Sequence, residues 1–174
     1  MNEVKSAEGL LLFYGHQPPA DGAITASCLS QWYECRFMED GILYHTAEQY
    51  MMAGKARLFG DDSAFTRIMN ARTPREYKRL GRSVKRYSES VWQAKRFEIV
   101  VNGNLLKFGQ NEDMKRFLLG TGSKMLAEAS RYDLIWGIGM SPGDPNAADA
   151  RNWRGQNLLG KALMIVRELL REER

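Results

Sequence analysis

A series of helix-start signals through the middle of the chain is the feature that most constrains its fold. The stretch from Thr46 to Gln49 is a capping box, in which the threonine hydroxyl and the glutamine side chain satisfy exposed amides of the first turn. The helix that follows is predicted to run to about Phe59. The stretch from Thr73 to Glu76 is a second capping box, with Pro74 at the first helical position, and predicts a helix to about Arg82.

Helical spacing of apolar residues continues to the end of the chain. Ser88 or Ser90 can cap a long helix that carries the apolar residues of 91–105, and a short helix follows over 111–119. A final helix is predicted over about 157–172, with leucine, valine and alanine side chains on one broad face. These segments make most of the chain helical.

Strand signals are concentrated in the N-terminal quarter. Leu10 to Tyr14 is an apolar run, and Arg36 to Tyr44 predicts a β-hairpin that turns at the Asp40-Gly41 dipeptide. A short apolar piece from Met125 to Ala129 precedes a loop rich in glycine, proline, aspartate and asparagine over 137–155. We therefore predict an α+β fold, predominantly α-helical, with a small N-terminal β-sheet.

Composition narrows the class of protein. A chain of 174 residues with 44% hydrophobic residues and no repeat or linker is expected to form one domain, 1–174. It has no apolar run near the roughly 20 residues of a membrane span and no signal-peptide layout, so we expect a cytoplasmic protein. Cys28 and Cys35 match no zinc or redox motif and are interpreted as reduced, structural residues. Because His16 and His45 are the only histidines, no metal or cofactor is expected, and carboxylates, lysines or amides would carry any chemistry.

The chain is basic, with a formal net charge of +4, and its arginines are clustered. If one helix persists, a single stripe is formed by residues at spacings of three and four, namely Arg72, Arg75, Arg79, Arg82 and Arg86. Such a stripe can bind phosphates, but a solvated basic face explains the spacing equally well. Gly81 followed by Ser83 can also end the helix before the stripe is complete.

Glu48 and Lys55 are seven residues apart, which places both on one face of the same helix. Their Cα atoms are then about 10 Å apart, a separation that suits two side chains converging on one sugar. The alternative is a glutamate that complements the helix dipole and a solvated lysine. The apolar stretch Tyr50 to Ala53 favours a functional role, because a charge on the buried side of this helix is costly unless it is used.

Two glycine-rich stretches resemble nucleotide-binding loops only in part. Gly155 to Lys161 has the glycine and lysine spacing of a phosphate loop, but Ala162 replaces the residue that holds magnesium, and no apolar strand precedes it. An ATPase is therefore excluded. Trp136 beside Gly137 and Gly139 can stack on a base or pack in the core, and the sequence leaves both open.

Several separated blocks of this sequence resemble the NADAR (YbiA-like) family in the same order. They are Phe13-Tyr14-Gly15, Thr46–Tyr50, Gly54–Ala56, Leu80–Arg82, Trp92, Asn111, Ile135–Gly139 and Trp153–Gly160. The resemblance covers about residues 12–170, and Glu48 and Lys55 fall on the family's helix pattern. One departure lies at Gln31, where the family usually carries asparagine before the aromatic residue, so Gln31 is left out of the predicted site.

The resemblance implies a YbiA-like fold and an N-glycosidase that hydrolyses the bond at the anomeric carbon of a phosphorylated ribose. The substrate that we favour is ADP-ribose attached to guanine in DNA or RNA, in which case a partner ADP-ribosyltransferase toxin is possible. Phosphorylated intermediates of riboflavin biosynthesis are the alternative, as is a non-catalytic module that binds ADP-ribose or nucleic acid. The partner is thus an ADP-ribosylated nucleic acid or a phosphorylated nucleoside-like small molecule.

The resemblance also assigns roles to residues. Glu48 would stabilise positive charge on the ribose or activate water, and Lys55 would attack the anomeric carbon to form a Schiff base. Predicted substrate contacts are Phe13, Tyr14, Trp32, Arg82, Trp92, Trp136, Gly137, Gly139, Asp144 and Asn157. Structural roles stay open for Trp92 as helix core, Asp144 as a turn former and Asn157 as a helix cap.

Overall fold

The computed structural model describes residues 6, 7 and 9–173 of the chain. In chain order the elements are β1 (Ser6–Ala7), β2 (Leu10–Phe13), β3 (Phe37–Glu39), β4 (Ile42–Tyr44), α1 (Ala47–Leu58), α2 (Asp62–Asn70), α3 (Pro74–Arg82), α4 (Glu89–Gly109), α5 (Glu112–Gly120), β5 (Met125–Glu128) and α6 (Leu158–Glu172). Three short 3-10 helices cover Ala26–Leu29, Pro145–Ala148 and Ala150–Asn152. Among the described residues, none of the helices has both the length and the apolar character needed to cross a membrane.

Two compact units make up the chain, one formed by Glu34–Asn111 and the other by the described residues before and after that segment. The first unit contains the β3–β4 hairpin and helices α1 to α4. The second contains the three-stranded sheet, α5 and α6. Cys28 lies in the second unit and Cys35 in the first, and both are buried free thiols, as expected.

The three-stranded sheet has the order β1-β2-β5, with β1 antiparallel and β5 parallel to β2. All four residues of β2 are buried, which explains its unbroken apolar sequence. Helix α6 packs directly on β5: a Cβ at Gly160 would lie 2.0 Å from the carbonyl oxygen of Leu126. The core beside this sheet contains Leu10, Leu12, Ala127, Ala129, Ile138, Met140 and Ala147.

Helix α1 is the centre of the Glu34–Asn111 unit, since α2, α3 and α4 all pack against it. Glycines on its neighbours allow this close approach. A Cβ at Gly81 of α3 would lie 2.0 Å from Sδ of Met52, and one at Gly103 of α4 would lie 2.5 Å from Cδ1 of Tyr50. These glycines therefore serve packing, and the closeness of α1 to α3 and α4 depends on them.

The local signals of this unit are largely confirmed. The hairpin turns at Asp40 and Gly41 with φ values of 51° and 79°, as the dipeptide predicted. Thr73 and Glu76 form the complete capping box at the start of α3. The first capping box differs in one bond.

In that first box the Thr46 hydroxyl accepts the amide of Gln49 at 3.0 Å, as predicted. The Gln49 side chain accepts the amide of His45 at 2.8 Å, although the box motif predicts a bond from Thr46. Its Nε2 atom donates to the carbonyl oxygen of Ile68 at 3.3 Å. The fully buried glutamine thus joins the start of α1 to α2, and this tertiary bond explains the departure.

Helix α2 was not predicted. Asp61 caps it by accepting the amide of Ala64 at 3.0 Å, and the buried apolar side chains within it are those of Ala64 and Ile68. Its nine residues are shorter than the window of about 11 to 18 residues over which apolar periodicity is recognised. The capping aspartate was the signal that the sequence offered.

The prediction of one arginine stripe is wrong at both ends, because Arg72 precedes α3 and Arg86 follows it. Helix α3 ends at Arg82 with Ser83 as its C-cap, so Arg75, Arg79 and Arg82 share a helix while Arg86 does not. Arg86 has a left-handed backbone with φ 58° and donates hydrogen bonds to the carbonyl oxygens of Phe59 and Gly60. Its guanidinium is committed to backbone carbonyls.

We expect Gly81→Ala to destabilise the protein, because the new methyl group would overlap buried Met52. Overpacking of this kind costs about 1–3 kcal/mol, equivalent to a fall in Tm of about 3–10 °C for a chain of this size. Gly120→Ala is the matched control, since no atom lies within 4 Å of a Cβ built there. Equal Tm values for the two variants by calorimetry would contradict the packing role of Gly81.

Candidate active site

Lys55 lies in the last turn of α1 between two aromatic rings. Its Nζ atom is 4.3 Å from the ring centroid of Tyr87 and 5.3 Å from that of Trp92, both within cation–π range. The side chain is half-buried, and Trp92 is buried. The structure thus brings together two predicted site residues, Lys55 and Trp92, with one that the sequence did not single out, Tyr87.

Burial lowers the pKa of Lys55 below its ordinary value of 10.5, and the nearby positive charge of Arg82 lowers it further. The Glu89 carboxylate acts in the opposite direction. A lowered pKa increases the fraction of neutral amine at neutral pH, and the neutral amine is the nucleophilic form. The environment of Lys55 therefore favours nucleophilic chemistry.

Glu48 lies in the first turn of α1, two helical turns before Lys55, and is only 7% exposed. With a rise of about 1.5 Å per residue, the Cα atoms of the two residues are about 10 Å apart on one helix face. Burial of a carboxyl group costs free energy unless the group is paired or used. Glu48 is thus buried and Lys55 half-buried on the same helix.

Glu89 and Tyr87 form a polar network beside Lys55. The Tyr87 hydroxyl donates to one oxygen of Glu89, and Nε2 of Gln93 donates to the other at 2.8 Å. These hydrogen bonds, Tyr87 first, lower the pKa of Glu89, with further help from the charges of Arg96 and Lys55. Glu89 is therefore a well-ionised partner for the ammonium. The sequence offered only its place in the first turn of α4, which is typical of a dipole-stabilising residue.

The segment between α3 and α4 that carries Tyr87 is fixed by polar contacts. The buried Asp61 carboxylate accepts the backbone amide of Lys85 at 2.8 Å. The ring of Phe59 meets that of Tyr87 edge-on, with 5.4 Å between centroids. Ser88 is the N-cap residue of α4, but its hydroxyl makes no capping bond to the helix. Asp61 and Phe59 thus fix the position of Tyr87, whose ring contacts the Lys55 ammonium.

In the other unit, the predicted aromatic contacts divide into exposed and buried. Tyr14 follows β2 and is 53% exposed, and the rings of His16 and Trp32 meet edge-on at 5.5 Å. Phe13, by contrast, is only 1% exposed and packs in the core. Tyr14 and Trp32 stay predicted substrate contacts, whereas the side chain of Phe13 packs in the core of the sheet.

Gly137 and Gly139 lie where side chains would not fit. A Cβ at Gly137 would lie 3.0 Å from the carbonyl oxygen of Glu128, and Gly139 has a left-handed φ of 71°. Asp133 holds the preceding turn by accepting the amides of Ile135 and Trp136 at 2.9 and 2.7 Å. These two glycines are thus needed for packing and turning, and half-buried Trp136 stays a predicted contact.

Asn157, a predicted ribose contact, has both atoms of its side-chain amide bonded to the backbone of β5. Its amide oxygen accepts the backbone N–H of Glu128 at 3.1 Å, and its Nδ2 donates to the carbonyl of Leu126 at 2.9 Å. The side chain is 2% exposed and does not cap α6 either. Asp144 accepts the amide of Asn146 at 2.9 Å and caps the short helix after it, as the turn-forming alternative predicted.

The opposing charges around Lys55 predict opposite pKa shifts in two variants. Glu89→Gln should lower the pKa of Lys55 further, because it removes a stabilising carboxylate, and Arg82→Gln should raise it, because it removes a repelling cation. The pH dependence of acylation at Lys55, followed by peptide mass spectrometry, measures both. Shifts in the same direction, or a wild-type midpoint at or above 10.5, would contradict this electrostatic account.

Two known proteins are similar to this chain over most of its length. N-glycosidase R617 of Acanthamoeba polyphaga mimivirus is 44% identical over 144 residues, which are 80% of this chain and 85% of that protein. Riboflavin biosynthesis protein VVA0006 of Vibrio vulnificus is 31% identical over 144 residues, 83% of this chain and 35% of that protein.

The fold has a solved counterpart. The NMR structure of the E. coli protein YbiA superimposes with a TM-score of 0.74 at 23% identity, covering 99% of this chain and 91% of that one, which confirms the expected α+β fold. The model of the NADAR domain matches residues 12–171. Since this match spans nearly the whole sequence, the chain belongs to the NADAR domain family.

Proposed function

We propose that this protein is an N-glycosidase that removes ADP-ribose from guanine in DNA or RNA. The observation that carries the proposal is Lys55, half-buried between Tyr87 and Trp92, on the same helix face as the buried Glu48. Hydrolysis of an N-glycosyl bond is also the reaction class in the name of the mimivirus relative.

Glu48 would act on the charge that develops as the glycosidic bond breaks. Cleavage of the bond between C1 of ribose and the guanine nitrogen places positive charge on C1 and the ring oxygen. A carboxylate fixed on a helix stabilises that charge without reorganising in the transition state. Its burial strengthens the effect, since fewer water molecules screen it.

Lys55 would supply the nucleophile. Its neutral amine attacks C1, the C1–N bond to guanine breaks, and the guanine takes up a proton as it leaves. Loss of the amine proton and opening of the ribose ring give a Schiff base between Nζ and C1. Water then adds to this carbon and releases the sugar, which restores the lysine.

The arginines of α3 support a substrate with several phosphates. Arg75, Arg79 and Arg82 are all exposed, and their spacing of four and three residues places them on one face of the helix. Three cations in a row suit an ADP-ribosylated nucleic acid better than a neutral sugar. A substrate of this kind presupposes an ADP-ribosyltransferase that makes it.

A phosphorylated intermediate of riboflavin biosynthesis is the second candidate, favoured by the name of the Vibrio relative. Its single phosphate would need only the cations next to Lys55. A module that binds without cutting fits the site less well, because binding alone requires neither a lysine of lowered pKa nor a buried glutamate on the same helix face.

Hydrolysis of a guanine-ADP-ribosylated DNA oligonucleotide tests the proposal. We expect the wild-type protein to release free ADP-ribose, detected by chromatography, and Glu48→Gln to slow release by about 100-fold or more. Glu98→Gln is the matched control, because the Glu98 side chain is 64% exposed on α4 and should leave the rate unchanged.

No release by the wild type would contradict the nucleic-acid substrate. The same assay on a phosphorylated riboflavin intermediate then tests the second candidate. Release that is equal in wild type and folded Glu48→Gln would remove Glu48 from the mechanism.

Borohydride reduction during turnover tests the role of Lys55. We expect it to convert the Schiff base to a stable secondary amine, which mass spectrometry locates on the peptide that contains Lys55. Lys55→Arg should yield no adduct, whereas Lys95→Arg, a change on the exposed side of α4, should yield as much as wild type. If wild type yields no adduct and Lys55→Arg only weakens substrate binding, Lys55 holds phosphate and Glu48 acts with water alone.

A further inference from the structure

Arg96 of α4 carries a buried positive charge that the mechanism above does not use. The residue is 8% exposed, so more than nine-tenths of it is buried. Among the residues that the structure describes, none makes a hydrogen bond or a salt bridge with its guanidinium. The guanidinium nitrogens nevertheless keep contact with solvent, since none of them is among the fully buried side-chain atoms that lack a hydrogen-bond partner.

A largely buried guanidinium without a paired acceptor is costly, because it has lost most of its hydration and gained no carboxylate. Nearby Glu89 already accepts from the Tyr87 hydroxyl and from Gln93. Its carboxylate is thus held by other donors and does not pair with Arg96. The five N–H donors of Arg96 are available for a ligand that brings its own acceptors.

Arg96 belongs to the same site as Lys55. It follows Trp92 by four residues and Glu89 by seven, so the three side chains lie on one face of α4. Trp92 contacts the Lys55 ammonium, and the charge of Arg96 is felt at both Glu89 and Tyr87. The buried arginine therefore lies on the same helix face as Trp92 and close to the two residues, Tyr87 and Glu89, that surround Lys55.

The charges at this site do not balance. Lys55, Arg82 and Arg96 are basic, and the carboxylate among their electrostatic neighbours is that of Glu89. An anion would balance the excess positive charge. Arginine offers a planar fork of donors that matches two oxygens of one phosphate, so phosphate is the anion this residue type suits best.

We propose that Arg96, together with Arg82, binds a phosphate group carried by the ribose of the substrate and so places the anomeric carbon against Lys55. This inference rests on the proposed function for the identity of the sugar. The phosphate of a ribose phosphate and the diphosphate of ADP-ribose share the required chemistry. Binding of either one is independent of whether Glu48 and Lys55 break a bond.

Equilibrium binding of three probes tests the proposal: ribose, ribose 5-phosphate and ADP-ribose. The protein variants are wild type, Arg96→Met, Arg96→Lys and the matched control Lys95→Met, which removes the neighbouring charge on the exposed face of α4. We expect wild type and Lys95→Met to bind at least one phosphorylated probe more tightly than ribose. Arg96→Met should weaken that binding by about 10- to 100-fold, the range expected for a lost charge-assisted contact. Arg96→Lys should recover part of it.

Thermal unfolding separates a ligand-binding arginine from a structural one. Without ligand, Arg96→Met should be at least as stable as wild type, because an apolar side chain replaces an unpaired buried charge. Only wild type, Arg96→Lys and Lys95→Met should gain Tm on addition of the phosphorylated probe.

Two results would overturn the inference. One is unchanged affinity of folded Arg96→Met for both phosphorylated probes. The other is a lower Tm of both Arg96 variants without ligand, with binding of ribose and of the phosphorylated probes weakened equally. If Arg96→Met loses phosphate binding while Glu48→Gln hydrolyses normally, the proposed mechanism fails and the phosphate site stands.

Discussion

The site around Lys55 depends on how closely three helices approach one another. Gly81 brings the backbone of α3 against Met52, and Gly54 of α1 lies against Ile99 of α4, where a Cβ would come within 2.9 Å of Cγ2. Arg82 follows Gly81 directly, so the same close approach that packs the core also places a cation near Lys55. A larger residue at position 81 would push α3 away from Met52 and would displace the charge of Arg82 with it. The packing of the core and the electrostatics of the site are therefore one constraint in this unit.

The second constraint is the polar anchoring of the segment between α3 and α4. Asp61 caps α2 and accepts the amide of Lys85, while Arg86 donates to the carbonyls at the end of α1. The hydrogen bonds of Asp61 and Arg86 to this segment and its neighbours offset the conformational entropy that is lost when the segment is ordered. Tyr87 gains its fixed place beside Lys55 from these bonds. Lowered pKa values at Asp61 and Glu89 follow from hydrogen bonds that favour their ionised forms.

What the sequence could predict was local. The hairpin at Asp40 and Gly41 and the capping box at Thr73 are decided by neighbours in the chain, and the structure confirms both. Glu48 and Lys55 were marked by helical spacing and by family resemblance. Helix α2 was missed because its nine residues are too few for apolar periodicity to be recognised. The backbone partners of the Asn157 side chain lie in β5, 29 and 31 positions earlier in the chain, so no local pattern could indicate them.

The unpredicted site residues share that long-range origin. Tyr87, Glu89 and Arg96 are unremarkable in sequence, being a loop tyrosine and two charges on a helix. Their importance comes from which side chains the fold places next to them, as with the rings of Tyr87 and Trp92 on either side of one ammonium. Burial of Arg96 likewise depends on helix packing that no local pattern records.

Placing Glu48 and Lys55 on one rigid helix has an evolutionary consequence. Their separation is set by backbone hydrogen bonds within α1, so drift in loops or neighbouring helices moves them together and leaves their distance unchanged. The aromatic and cationic residues near Lys55 belong to α3, α4 and the segment between them, and they can diverge separately. Under the proposed mechanism, a lineage can thus exchange one leaving group for another by altering those surroundings while Glu48 and Lys55 keep their geometry. Such an arrangement lets substrate preference evolve faster than the reaction.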